Sequence, residues 1–247
     1  GYVAKAAPDG YNLLDASPAI AIIPSVYSNL PFDPVRDFAP VSLLTKQAYF
    51  LVVSPTAPYK TLQEYLAYAR ANPGKLNWGT SGSGSPSHLP GEYLHFLTKT
   101  NVTFIHYKTS NQRFTDLVAG RVDVSMGSLG NVAPLMKAGK LRALAVTTNK
   151  RVPSAPDMPT FDEEGIKGYD FSGWLGIVAP AKTPPAIIGR LNTWFVNASK
   201  DAEIRKLEAD GSLVLGTTPG ELGQLIRSET ELWRRLIKEA GLKVESE

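Results

Sequence analysis

Short apolar runs alternate with stretches of helical periodicity along this chain. Residues 11–16 read as a strand after the Pro8-Asp9-Gly10 turn, and a short helix is expected at 19–26 within a Pro-, Asn- and Asp-rich segment. Strands are expected at 41–44 and 48–53, the second a continuous apolar run of the kind buried on both faces of a sheet. Thr61 and Glu64 form a capping box that opens a helix over 62–69, which Asn72-Pro73-Gly74 ends. A β-like run then ends at Trp78. Pro86 suits the first position of a helix over 86–98, and 102–107 is again β-like. A polar turn at 108–112 precedes a helix over 114–119, a strand over 122–126, a helix toward Lys137 and a strand over 141–146. A Pro-rich excursion through Pro153, Pro156 and Pro159 leads to a strand over 173–179 and helices near 184–199, 201–209 and 218–240. Strands alternating with helices predict an α/β fold whose open, mostly parallel sheets carry helices on both faces.

Three loops share one character: 79–85, 108–112 and 127–131 each follow a strand and precede a helix. Ligands in open α/β sheets sit outside the carboxyl ends of strands, so these loops are expected to wall a single cleft. The first is the most informative. Gly79-Thr80-Ser81-Gly82-Ser83-Gly84-Ser85 is built from Gly, Ser and Thr alone, with Ser85 as a good N-cap before Pro86. Backbone N–H groups and the helix dipole at such a junction favour negative charge.

Its spelling narrows the chemistry. A phosphate loop needs Lys after its last Gly, where Ser85 stands, and a dinucleotide fingerprint needs Gly or Ala at Ser87. A nucleophile elbow on Ser81 or Ser83 needs Gly where the other serine stands. What survives is a neutral, hydroxyl-rich anion cradle suited to a carboxylate. An ordinary strand-to-helix loop of small residues is the alternative the spelling leaves open.

Composition adds mainly exclusions. The 247 residues suit one large domain or two modest ones, and 43% hydrophobic with 20% charged residues is ordinary for a globular protein. The net charge of +3 is scattered, with no basic stripe for nucleic acid. No apolar run approaches the about eighteen residues of a membrane span, so no membrane insertion is expected. With no cysteine, disulfides and thiolate chemistry are excluded. His88, Glu92 and His95 share one helix face, but the spacing matches no metal motif. They are expected on the solvated side, with Leu89, Tyr93 and Phe96 as the buried stripe. The cluster Asp162-Glu163-Glu164 suits a helix start. Trp174 is a candidate cleft residue, though a strand Trp beside Leu175 and Ile177 is more often core, while for Tyr107, which ends a strand, cleft and core are equally open. No nucleophile, base, metal or cofactor signature emerges. Residues 1–7 read as the tail of a helix, from which a preceding N-terminal part is expected to be missing.

The chain resembles the periplasmic substrate-binding proteins of tripartite tricarboxylate transporters, the Bug family of extracytoplasmic solute receptors. The resemblance rests on Val3-Ala4-Lys5-Ala6-Ala7-Pro8-Asp9-Gly10-Tyr11, on Asn77-Trp78-Gly79-Thr80-Ser81-Gly82 with Ser87-His88-Leu89, and on His106-Tyr107-Lys108. It continues through Gly120-Arg121-Val122-Asp123, Ala138-Gly139-Lys140-Leu141-Arg142, Pro156-Asp157-Met158-Pro159-Thr160 and Trp174-Leu175-Gly176-Ile177-Val178-Ala179-Pro180.

The resemblance implies a two-lobed, flytrap-like binding protein that captures a small organic carboxylate and passes it to membrane transporter subunits. It implies no catalysis and no cofactor, and a periplasmic location. Lobes of 1–103 with 176–247 and of 104–175 are expected. By carry-over, Thr80, Ser81, Gly82, Ser83 and Ser85 would supply the first lobe's half of the site, and Tyr107, Lys108, Thr109, Ser128 and Leu129 the second lobe's. A sensor delivering to a signalling partner is the alternative use of the same cleft, with a small-molecule enzyme behind it.

Two departures from the family pattern stand out. Its opening β-α-β unit is expected to belong to the N-terminal part that precedes residue 1, and its second-lobe turn, usually glycines and Pro-Ala after Tyr-Lys, reads Thr109-Ser110-Asn111-Gln112-Arg113 here. Arg113 replaces a small residue. It is expected either to reach a ligand's distal acid group and favour diacids, or to face solvent at a helix start.

Overall fold

The computed structural model describes residues 1–26 and 30–240, which form two compact units. The first comprises Gly1–Lys46 with Gly173–Glu247 and the second Gln47–Ser172. In the first unit a four-stranded sheet runs in the order β1 (Leu14–Ala16), β8 (Gly173–Pro180), β2 (Phe38–Gln47), β9 (Ser212–Val214). Helices α1 (Ala19–Val26) and α8 (Pro219–Ala240) pack together. Ala16, Ile20, Phe38, Leu43, Trp174, Val178, Leu222 and Ile226 form the core there. Leu191 of α6 (Pro185–Ala198) packs on Val41 and Ala179 in a separate cluster. A short helix α7 (Ala202–Arg205) and a 3-10 turn lead into β9, a strand the sequence pattern does not announce.

The second unit carries a five-stranded sheet in the order β5 (Thr103–His106), β4 (Asn77–Thr80), β6 (Val124–Ser128), β3 (Tyr49–Val53), β7 (Arg142–Val146). Its apolar β3 alternates sides. Phe50 and Val52 join Phe114, Leu117, Leu129 and Val132, from α4 (Ser110–Val118) and α5 (Leu129–Lys137). Leu51 and Val53, equally buried, point the other way, so both faces are covered and the run needs no polar positions. α2 (Leu62–Ala71) begins as expected: Glu64 N–H donates to Thr61 Oγ1 at 3.1 Å, and the Glu64 carboxylate accepts from Lys60 N–H.

Two expectations need correction. The sheets are mixed. β4 runs parallel to β5 and to β6, but β3 pairs antiparallel with β6 and β7, and β1 with β8. The lobe division expected near residue 104 also differs from the compact units, because residues 47–103 belong with the second. β3 and β4 find their strand partners there, and no periodicity reveals which strands pair. The return near Gly176 lies close to the observed division before Gly173.

Candidate functional site

In the second unit, three neighbouring parallel strands release their chains at one end of the sheet. Successive β4 side chains face opposite ways. Trp78 packs on α3 (Leu89–Thr98), where a Cβ on Gly91 would lie 2.7 Å from its ring, while Gly79 faces Arg113 of α4. Helices α3 and α4 therefore cover opposite faces. The chain leaves β4 to one side for β5, then crosses to β6 on the other, which makes β4 a topological switch point. The loops after β4, β5 and β6 all lie at this end, as their sequence character predicts.

The loop after β4 is tied down internally. Ser81 N–H donates to Ser87 Oγ at 2.8 Å, and the hydroxyls of Ser81 and Ser85 lie 3.0 and 3.1 Å from the same oxygen. Gly82 N–H donates to Thr80 Oγ1, which also meets His106 Nδ1 at 2.6 Å. Gly84 N–H donates to His88 Nδ1 at 3.1 Å, so the proton of that ring sits on Nε2, facing Glu92 Oε1 at 3.3 Å. Gly82, at φ +119°, and Gly84, at φ +72°, adopt backbone that other residues rarely reach. Three loop amides are thus already spent on side chains, and the exposed Ser83 lies at the tip.

Pro86 does not open the helix. α3 starts at Leu89 after a turn in which His88 and Leu89 N–H groups donate to the Ser85 carbonyl. Ser87 supplies the reason: its hydroxyl anchors the loop and its carbonyl accepts from Trp78 Nε1 at 2.8 Å.

The face carrying His88 and His95 is buried, not solvated. His95 meets Tyr65 Oη at 3.1 Å through Nε2 and Thr100 Oγ1 at 2.5 Å through Nδ1, and burial lowers its pKa to about 3. Its edge contacts with Trp78 and Phe104 explain why a polar ring lies inward. Asp162 and Glu163 are held locally, by Lys167 and by Arg151 with Thr160 N–H.

After β5, Tyr107 Oη donates to Asp116 Oδ2 at 2.8 Å, and burial, reinforced by this contact, pushes the phenol up to about 12. Arg121 holds the other Asp116 oxygen, so Tyr107 fastens the turn onto α4. Lys108 and Thr109 are exposed, and the Thr109 hydroxyl accepts from Gln112 N–H to cap α4. After β6, Ser128 is the N-cap of α5 without a side-chain cap bond; its hydroxyl accepts from Asn131 Nδ2. Leu129 is buried in the core.

Arg113 is the unexpected member. It is 2% exposed, and its Nε and Nη1 are buried without a hydrogen-bond partner. The stem crosses β4 at Gly79, where a Cβ would come within 2.9 Å of Cγ, so glycine is what makes room for it. The guanidinium carbon lies 4.4 Å from the Phe114 ring centroid. Tyr49, paired with Ser128 in the sheet, interacts with it electrostatically. Burial lowers its pKa to about 10, which leaves it charged at neutral pH.

The placement expected for these residues changes accordingly. Thr80, Ser81, Gly82, Ser83, Ser85, Tyr107, Lys108, Thr109, Arg113, Ser128 and Leu129 all belong to one unit, not to two. Trp174 lies in the other unit's core, 4% exposed, with its indole N–H donating to the Glu229 carboxylate at 2.9 Å. That is a core role. Ser87, His88, Ser125 and Tyr49 were not singled out as site residues. Ser125 Oγ donates to the Gly79 carbonyl at 2.7 Å, and only strand pairing reveals it. Among the described residues no cluster of three potential ligands could hold a metal ion, and no helix is long and apolar enough to cross a membrane.

Comparison with known proteins places this arrangement. The signature described as "Tripartite tricarboxylate transporter family receptor" matches residues 1–242. A protein from the TAR-I ttuE-ttuC' intergenic region of Agrobacterium vitis is 34% identical over 97% of this chain and 70% of its own length. Protein BugT of Bordetella pertussis is 30% identical over 98% of this chain and 75% of its own length. A solved R. palustris protein with adipate is 33% identical, with a TM-score of 0.78 over 97% of this chain and 81% of that one. MatC of Rhodopseudomonas palustris, with bound malate, is 31% identical, with a TM-score of 0.73 over 96% of this chain and 82% of that one. A match across nearly the whole chain, with relatives of this similarity, means that the chain belongs to the tripartite tricarboxylate transporter receptor family, which includes the Bug proteins.

Proposed function

We propose that this protein is a periplasmic solute receptor that captures a small organic carboxylate and delivers it to a tripartite tricarboxylate-type membrane transporter. The observation that carries the reading is the convergence of three polar loops at the carboxyl end of adjacent parallel strands. Ser81, Gly82, Ser83 and Ser85 border the end of β4, Lys108 and Thr109 follow β5, and Ser128 ends β6. Hydroxyls and the exposed cation of Lys108 suit an acid group better than a sugar or a nucleotide. Adipate and malate in two related structures support the same ligand class.

The chemistry argues for binding without turnover. Both nitrogens of buried His95 are engaged by hydroxyls, and His88 is locked between Gly84 and Glu92. Neither is poised to move a substrate proton.

A thermal-shift panel of mono- and dicarboxylates, followed by product analysis, tests the reading. A ligand at a hundred times its Kd stabilises the folded state by about 2.7 kcal/mol, which the melt resolves easily. Some acids should raise the melting temperature and be recovered unchanged. Detectable turnover, or stabilisation by nucleotides or sugars alone, contradicts the reading. Delivery is tested separately, by acid uptake into vesicles carrying the membrane subunits with and without this protein.

A further inference from the structure

An arginine with two sealed, unbonded nitrogens is an incomplete arrangement. A guanidinium presents five N–H donors, and buried donors and charges in folded proteins are ordinarily partnered. Phe114 offers its ring face and Tyr49 a phenol, but neither is an anion and neither accepts a hydrogen bond from Arg113. The acidic groups nearest in sequence are otherwise engaged: Asp116 binds Tyr107 and Arg121, and Asp123 accepts from Asn77 N–H. The remaining nitrogen, Nη2, makes no hydrogen bond either and is the one guanidinium nitrogen that is not fully sealed, so the little exposure this residue keeps is at the tip of the fork.

Its position is the second observation. Arg113 touches Gly79, next to the last residue of β4, and interacts with Tyr49, which pairs with Ser128 at the end of β6. The unpaired cation therefore lies at the sheet end where the three polar loops emerge. Ser128 leaves the first turn of α5 without a side-chain cap on the same side.

We propose that Arg113 is an anion-binding residue of this site, whose guanidinium receives the second carboxylate of a dicarboxylate held by the loops. The inference rests on the receptor reading above and narrows it from organic acids in general to diacids. A planar fork matches a carboxylate in a way that a surface lysine does not. Gly79 is the residue that makes the arrangement sterically possible.

Calorimetric titration of the protein with straight-chain four- to six-carbon dicarboxylates, and with monocarboxylates of equal length, tests this. Wild type should favour the best diacid over its matched monoacid by about tenfold or more, the range of one charge-assisted hydrogen bond. Arg113→Gln should abolish that preference while changing monoacid affinity less than about threefold, and Arg113→Lys should restore part of it. A wild-type preference below about threefold overturns the assignment without any variant, should Arg113→Gln fail to fold. Equal loss of both ligand classes in Arg113→Gln also overturns it, as does no loss of either. Monoacid binding without diacid preference removes the Arg113 assignment alone. Failure of wild type to bind any acid removes the receptor reading, and the assignment with it.

Discussion

Single side chains in the second unit have consequences that can be weighed individually. A Cβ on Gly127 of β6 would lie 2.6 Å from Phe114 Cζ and 2.7 Å from Val132 Cγ1, both in the core. Gly127→Ala should therefore cost about 1–3 kcal/mol through overpacking. Gly130, in the first turn of α5, has nothing within 4 Å of its Cβ position, so Gly130→Ala should be neutral or stabilise by up to about 1 kcal/mol. Urea unfolding of both variants checks the contrast, and equal midpoints would contradict it. His95 makes a pH prediction. Burial lowers its folded pKa to about 3 from 6.5, so in the unfolded chain it binds a proton that the folded protein refuses. Its stabilising contribution is present in full above pH 6.5 and is lost as pH falls toward about 3. Each pKa unit is worth about 1.4 kcal/mol, so the slope is measurable. Urea unfolding from pH 7 to pH 4.5 should destabilise wild type more than His95→Gln. Parallel pH profiles would show that the ring is not the source.

At the scale of elements, the loop between β4 and α3 behaves as one hydrogen-bonded piece. Ser87 Oγ receives the Ser81 N–H and meets two further hydroxyls. Ser87→Ala strands that amide and should cost about 1–3 kcal/mol locally. Faster amide exchange centred on residues 80–88 and weaker acid binding are expected, with the melting temperature lowered by about 2–4 °C per kcal/mol lost. Unaltered exchange there would mean that the loop is held by its glycines and turns alone. This element also separates what local sequence carries from what it does not. Thr61 and Glu64 announced α2 because a cap involves neighbours within one turn, and α1 over 19–26 followed from local pattern. The start of α3 was misplaced by three residues, because Ser87 is recruited by Ser81 and Trp78 from before the turn. Arg113 was legible as a departure but not as a buried one. Its burial depends on Gly79, in another strand-and-helix unit, being small enough to admit the stem.

For the whole molecule, Gln47–Ser172 is a continuous segment with its own five-stranded sheet and core, whereas the other unit is assembled from both ends of the chain. A fragment of residues 47–172 should therefore unfold cooperatively when expressed alone, as domains with their own core generally can. A melt by circular dichroism without a sigmoidal transition would contradict this. The sequence by itself determined the α/β class, most helices and strands, the loop chemistry that points to an acid, and the family. The class, the elements and the loop chemistry follow from periodicity, caps and residue type, which depend on near neighbours, whereas the family is legible only through motifs that resemble its members in order along the chain. Only the tertiary structure decided that β3 joins β6 and β7 antiparallel, so that the candidate loops share one unit. It alone decided that Trp174 is core and that Arg113 is a buried, unpaired cation. Strand pairing and the burial of a charge are set by contacts between distant segments, and no local pattern records which segments will meet.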